Sequence, residues 1–331
     1  MSCQSVLSLL LNYKAASQPC LSETFLHVRS EGLLLYCVKQ MALSRHGTNP
    51  DTIRLKLYKI FSFRHVAAKF MVLATLMTST AITGASDLER EQRLADQIVD
   101  AILDGDPVTL TAGGHEFLGI YTQSETDVPL GGTIILHGRG THPDWSQVAG
   151  PLRTALPAHG WATLSLQMPV LEKDASYYDY VPIFPEAIPR IEAGIRYLQE
   201  QGIKRIVLIA HSCGVHMSMA WLEQQGDAQL SGYIGIGMGA TDYQQPMRQP
   251  FPMNRLRVPF LNILGSEDYP AVQRTAEAFK SIVDERNNYS AQVRVPGADH
   301  YFSDYEDELV EVIADWLDGL VAPVGADLIR D

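Results

Sequence analysis

Cysteine is scarce in this sequence: there are four in 331 residues, and beyond residue 37 only Cys213 remains. One thiol cannot form an internal disulfide, so nothing in the later chain depends on an oxidising compartment and nothing is harmed by one. H-E-x-x-H and C-x-x-C spacings are absent, which argues against a metal site; G-x-x-x-x-G-K-[ST] and G-x-G-x-x-G are absent too, and no cofactor is expected. No apolar run reaches the roughly 20 residues that a membrane span needs, and no repeat or low-complexity array is visible. Positive charge is short over most of the length. Residues 1–85 hold nine Lys/Arg against three Asp/Glu, whereas residues 86–331 hold 17 against 35, a net of −18 within a total of −12. So acidic a body would be repelled by nucleic acid and by anionic membrane surfaces. What is left is an ordinary globular composition, 46% apolar and 19% charged, long enough for one α/β domain with a sizeable core.

The change in charge near residue 85 coincides with a second signal. Lys69 leads an apolar core, Phe70 to Met77, followed by small residues through Thr83-Gly84-Ala85 and a charged run from Asp87 to Arg93. This pattern reads as a secretory signal over 66–85, too short to remain as a span in the mature chain, with a buried helix as the alternative. Export, most simply to a periplasm, follows from the signal; a cytoplasmic location follows from the helix. Residues 1–65 have no sustained period and sit ahead of a signal that works only at a chain terminus. They read as an extension, disordered or produced by a misassigned start, which leaves 86–331 as a single domain.

The stretch that organises this domain is Ile206-Val207-Leu208-Ile209-Ala210-His211-Ser212-Cys213-Gly214. A buried parallel strand reads as a continuous aliphatic run. Here the run stops at a serine flanked by small residues and a helical pattern follows, the pattern of a nucleophile elbow with Ala210 in place of the commoner first glycine. An earlier strand, Gly132 to Leu136, runs into His137-Gly138-Arg139-Gly140, a loop suited to donating a backbone N–H to an oxyanion.

With both stretches in view, residues 130–320 resemble an α/β-hydrolase. The segment Leu136-His137-Gly138 through His142-Pro143-Asp144-Trp145, with Gly160-Trp161 to Met168-Pro169 after it, is similar to an uncharacterised family of exported bacterial members. The resemblance implies a mostly parallel central sheet with helices on both faces and names no substrate. Fewer than twenty residues separate Gly239 from Val258, too few for a large cap domain.

Around these landmarks the periodicity predicts a helix over 89–103 with Leu94, Ile98, Val99, Ala101 and Ile102 inward, and a hairpin of Pro107–Leu110 and Phe117–Tyr121. It also predicts a strand over 161–169, a helix over 188–199, a strand over 258–265, a helix over 271–283, a strand over 291–295 and a closing helix over 305–320.

A serine needs a base and the base an orienting acid, expected downstream in the order Ser, acid, His. Strand 258–265 ends in Ser266-Glu267-Asp268, where Asp268 is the favoured acid and Glu267 the alternative. Strand 291–295 leads to His300. The expected triad is therefore Ser212, Asp268 and His300, with the amides of Cys213 and Arg139 as oxyanion donors. The Arg139 side chain either meets an anionic substrate group or faces solvent. His211 is a candidate substrate contact that packs beside the serine. Tyr177, Tyr178 and Tyr180, in a segment read as a loop, either line the substrate entrance or belong to packed surface. His137 is expected to brace the oxyanion loop, and His216 rides the elbow helix. These residues point to hydrolysis of a small carboxylic ester or thioester. The alternative is a non-catalytic domain of the same fold that binds a ligand or partner in the envelope, and oligomeric state is left open.

Overall fold

The computed structural model describes residues 85–284 and 289–321, so the extension and signal segments before residue 85 lie outside the described residues. Eight strands form one sheet in the order β1-β2-β4-β3-β5-β6-β7-β8. The hairpin of β1 (Asp106–Ala112) and β2 (His115–Thr122) turns at Gly113-Gly114, both at positive φ, where a side chain would be strained. It pairs antiparallel with β4 (Trp161–Leu166). From β4 onward every pairing is parallel, through β3 (Gly131–Leu136), β5 (Ile206–His211), β6 (Gly232–Ile236), β7 (Phe260–Gly265) and β8 (Ala291–Val295). Strands β3 to β7 are buried at every position, the polar Thr133, Thr163, Ser165, His211 and Asn262 among them included, while the edge strands β1 and β8 are partly exposed.

Helices cover both faces and give the sheet its two cores. On one lie α4 (Ala187–Glu200) and α5 (Cys213–Gln225), packed around Trp221, Tyr180 and Phe184. On the other, α2 (Ala149–Ala155) and α7 (Glu306–Val321) bury Trp161 and Phe302. Helix α6 (Pro270–Asp284) follows β7. Because β4 lies on one side of β3 and β5 on the other, the chain order reverses there and opens a crevice at the carboxyl ends of β3 and β5. The serine turn and the His137-Gly138 loop both emerge at that crevice.

Three expectations are corrected. Helix α1 (Leu88–Ala101) forms, but Val99 and Ala101 are exposed; the buried positions are Ile98 and Glu91. An apolar period cannot reveal that inner face, because Glu91 is buried against the fully enclosed Arg190, 2.8 Å away. Strand β4 stops at Leu166 instead of continuing to Pro169, since the Met168 amide donates to His137 Nε2 and leaves the ladder. The tyrosine segment is helical: α3 (Tyr177–Tyr180) runs into a 3₁₀ turn, Val181–Glu186. Ser176 and Asp179 form a capping box at its start, a local signal legible in the S-x-x-D spacing.

Candidate functional site

The site is built from the turn after β5. Ser212 has φ 54° and ψ −116°, a conformation that costs a non-glycine residue on the order of 1–3 kcal/mol. Its neighbours hold it there: its N–H donates to Ile236 O at 2.9 Å, and its carbonyl accepts from Val215 N–H at 3.0 Å. Gly214 has no side chain for a steric reason, since a Cβ would lie 2.6 Å from Leu136 O and 2.7 Å from His137 O. Ala210 stands between Leu136 and Gly235 in the sheet and is fully buried.

The ends of β7 and β8 bring the other two groups. His300 Nε2 lies 2.8 Å from Ser212 Oγ, and Nδ1 lies 2.7 Å from Asp268 Oδ1. A carboxylate only accepts, so Nδ1 carries the hydrogen and the Nε2 lone pair faces the serine hydroxyl. Asp268 also accepts the Tyr269 amide at 2.6 Å, and no Lys or Arg among the described residues pairs with it, which leaves its charge for the imidazole. Glu267, the alternative acid, is exposed, and only Asp268 faces the ring. Gly237, at φ 61°, makes room for that ring: a Cβ would stand 2.7 Å from His300 Cε1. Tyr269 stacks on the imidazole with centroids 4.3 Å apart, and Tyr301 meets it edge-on at 5.2 Å. Such a chain can pass a proton from hydroxyl to imidazole while the carboxylate stabilises the resulting cation.

Across the crevice lies the loop after β3. Gly138 is so close that a Cβ on it would touch Ser212 Cβ at 3.2 Å. The carbonyl of Gly138 is held by His137 Nδ1 at 2.8 Å and by the Thr141 hydroxyl at 2.9 Å. Since N–H and C=O of a trans peptide point in opposite directions, those two bonds fix which way the Arg139 N–H is aimed. Neither that N–H nor the one of Cys213 donates to a described residue. His137 can brace the loop because Met168 N–H donates to its Nε2 at 2.9 Å and burial lowers its pKa to about 3, keeping the ring neutral.

A cavity of about 510 Å³ opens onto Ser212 and His300, walled by Tyr177, Asp242, Tyr243, Tyr269, Arg274 and Tyr301. Of the residues expected at the substrate, Arg139, Cys213 and Tyr177 line this cavity and three others do not. Tyr178 packs under the Arg248 guanidinium at 3.9 Å and donates to Pro246 O. Tyr180 is fully buried, its hydroxyl accepting the Leu171 amide, because consecutive residues of a helix cannot all face one side. His211 is turned inward to donate from Nε2 to the His300 carbonyl at 3.0 Å, and burial holds its pKa down to about 3. It ties the serine turn to the histidine turn. The Arg139 guanidinium neither faces solvent freely nor offers an open charge, for it forms a two-pronged pair with Asp242. Cys213 is buried, and burial pushes its thiol up to about 12, which disfavours the thiolate. His216 donates to Ala240 O at 2.9 Å and stacks on Phe184. The loop from Ala240 to Asn254, expected from its place after a strand to shape the pocket, does supply Asp242 and Tyr243 to the cavity, although the pairing of Asp242 with Arg139 had no local signal. Sequence reasoning missed Gly237, Tyr269 and Tyr301, of which only the two tyrosines, each adjacent to a predicted acid or base, carried any local signal.

Among the described residues no three His, Cys, Asp or Glu are grouped to hold a metal ion, and no described helix is long and apolar enough to cross a membrane. An uncharacterised family described as "Protein of unknown function (DUF3530)" matches residues 73–180. Comparison with curated proteins finds no match. Among solved structures, Est1E from Butyrivibrio proteoclasticus with ferulic acid bound is 15% identical, with a TM-score of 0.51 over 65% of this chain and 100% of that one. A second structure of Est1E from Butyrivibrio proteoclasticus is 14% identical, TM-score 0.50, over 66% and 100%. A serine hydrolase homologue from Coxiella burnetii is 18% identical, TM-score 0.49, over 65% and 98%. Strand order, the crevice at β3 and β5, and the two Est1E structures agree on one architecture: the chain has the α/β-hydrolase fold, without a large cap.

Proposed function

We propose that this protein is a serine hydrolase cleaving a small carboxylic ester or thioester through an acyl-enzyme. The observation that carries the reading is the continuous chain Ser212 Oγ, His300, Asp268, at 2.8 and 2.7 Å, around a serine held at φ 54°. His300 Nε2 takes the hydroxyl proton as Oγ attacks the carbonyl carbon. The carbonyl oxygen becomes an oxyanion met by the amides of Cys213 and Arg139. His300 then returns the proton to the leaving alkoxide or thiolate as the tetrahedral species collapses. Water repeats the sequence from the other side and frees the acid. Donors aimed at the oxyanion are typically worth about 10²- to 10³-fold in rate each.

The cavity of about 510 Å³ accommodates a modest acyl or leaving group, and its tyrosine walls favour a flat or aromatic one. Est1E was solved with ferulic acid, so hydroxycinnamate esters belong in the panel with short-chain acyl esters and thioesters. An exported location rests on the Lys69–Ala85 pattern alone. A fluorophosphonate probe tests the chemistry: the folded protein is expected to be labelled at Ser212 and the Ser212→Ala variant to be inert. An unlabelled wild type would leave the ligand-binding alternative, and esterase activity surviving in Ser212→Ala would overturn Ser212 as the nucleophile.

A further inference from the structure

One polar cluster at the cavity takes no part in the proton transfers. Arg139 Nη1 and Nη2 donate to Asp242 Oδ2 and Oδ1 at 2.7 and 2.6 Å, and Nη1 also donates to the Ala175 carbonyl at 3.0 Å. Asp242 Oδ2 accepts a further bond, from the Tyr177 amide at 2.6 Å. Three segments far apart in sequence therefore meet on one carboxylate: the loop after β3, the start of α3 and the loop after β6. The two side chains are 31% and 32% exposed, so the pair is shielded on most sides, and its two-pronged geometry is the most directional form of ion pair.

The location of the pair matters more than its strength. Arg139 supplies the amide assigned to the oxyanion, and the peptide carrying that amide is gripped on its carbonyl side by His137 and Thr141. Asp242 grips the same residue from the opposite end, through the side chain. Tyr177, whose amide shares the carboxylate, is a wall of the cavity. A charge so engaged does not recognise an anionic substrate.

We propose that Asp242 is a positioning residue. Through Arg139 it holds the 138–139 peptide at the oxyanion, and through the Tyr177 amide it locks that peptide to the substrate wall. The kinetic half of this proposal rests on the serine-hydrolase reading; the mechanical half does not.

Two measurements on the full chain test the halves separately, using Asp242→Ala, Asp242→Asn and Arg139→Lys. Asparagine has the carboxylate's shape but presents an NH₂ to donors, and lysine keeps the charge but loses the fork. The first measurement is amide hydrogen exchange. Peptides covering 138–141 and 175–179 are expected to exchange faster in all three variants, while peptides of β5 stay unchanged. Unchanged exchange at 138–141 overturns the proposal whether or not the protein is a hydrolase. Kinetics on a p-nitrophenyl ester is the second, with a trifluoromethyl ketone as a probe of the oxyanion. A small misplacement of one donor is expected to lower kcat by about 10- to 100-fold, with KM changed by less than about 3-fold. Affinity for the ketone should fall in proportion to kcat. A loss of kcat with ketone affinity intact would mean that Asp242 acts elsewhere, and would overturn the positioning role. Absence of fluorophosphonate labelling in the wild type would instead remove the hydrolase reading and leave the exchange result to decide the latch. Should Asp242→Ala fail to fold, Arg139→Lys carries both measurements.

Discussion

The two sides of the crevice are assembled in different ways. On the side of β5, β7 and β8, Ser212, Asp268 and His300 are placed by strand ends, and the approach is secured by missing side chains at Gly214 and Gly237. On the side of β3, the loop at Gly138-Arg139 is placed by side-chain bonds: His137 and Thr141, its own neighbours, on its carbonyl, and Asp242, 103 residues away in sequence, on its guanidinium. A site held by backbone sterics is stiff and intolerant of added atoms. One held by side-chain bonds can be loosened a bond at a time, which makes the β3 side the place where rate can change while the fold persists.

The deepest test of the stiff side is Ser212→Ala, expected to lower kcat/KM for an ester by about 10⁶-fold with little change in thermal stability, since alanine keeps the Cβ and the backbone conformation and loses only the hydroxyl. Asp268→Asn should cost about 10⁴-fold through the wrong imidazole tautomer, whereas Glu267→Gln should change the rate less than about 3-fold. Equal losses from the two would undo the assignment of the acid. Gly214→Ala tests whether sterics hold the elbow: the added methyl strikes two carbonyl oxygens, and destabilisation of about 3 kcal/mol or more is expected in urea unfolding. A fully stable Gly214→Ala variant would mean that the turn is not steric in origin.

Acid should sharpen the contrast, because three neutral buried histidines lie beneath the site. Burial lowers His137 and His211 to about 3 and His216 to about 4. The same residues in the unfolded chain titrate near 6.5, so between these values the unfolded state binds more protons. Stability is then complete above about pH 6.5 and lost progressively as pH falls toward 4. The urea midpoint measured across that window should decline, and should decline less steeply in His216→Gln. The smallest expected effect is at Arg274. It lines the cavity, is exposed, and makes no ion pair with any described residue. Arg274→Gln should raise KM by about 2- to 5-fold for an ester with a distal carboxylate and leave its methyl ester unaffected, a change small enough to need both substrates measured side by side.

How far the site could be read without coordinates follows from the same division. The run Ile206–Ile209 ending at Ser212, the chain order Ser, Asp, His, and the position of His300 after the last strand are local patterns, and local physics produces them. The G-x-x-D ending favoured Asp268 over Glu267 without excluding either, because adjacent residues after a strand differ only in which one the turn directs at the ring. The three tyrosines at 177, 178 and 180 looked equivalent in sequence, yet a single helical turn sends one to the cavity, one beneath Arg248 and one into the core. Glu91 was hidden in α1 for a related reason: its partner Arg190 lies 99 residues away, and no apolar period records an ion pair.

Most of the strands, the sharp turn at Ser212 and the placing of His300 after the last strand could be read from the chain alone. Each depends on hydrophobic period, on small residues at a tight turn and on order along the chain, all of which act over a few residues. The three-dimensional packing was needed to exclude Glu267 from the ring, to show which tyrosine meets the cavity and to reveal that the Arg139 charge is spent on Asp242. Those outcomes depend on direction and on partners brought together from distant segments, and neither direction nor distant partnership has a local spacing to read.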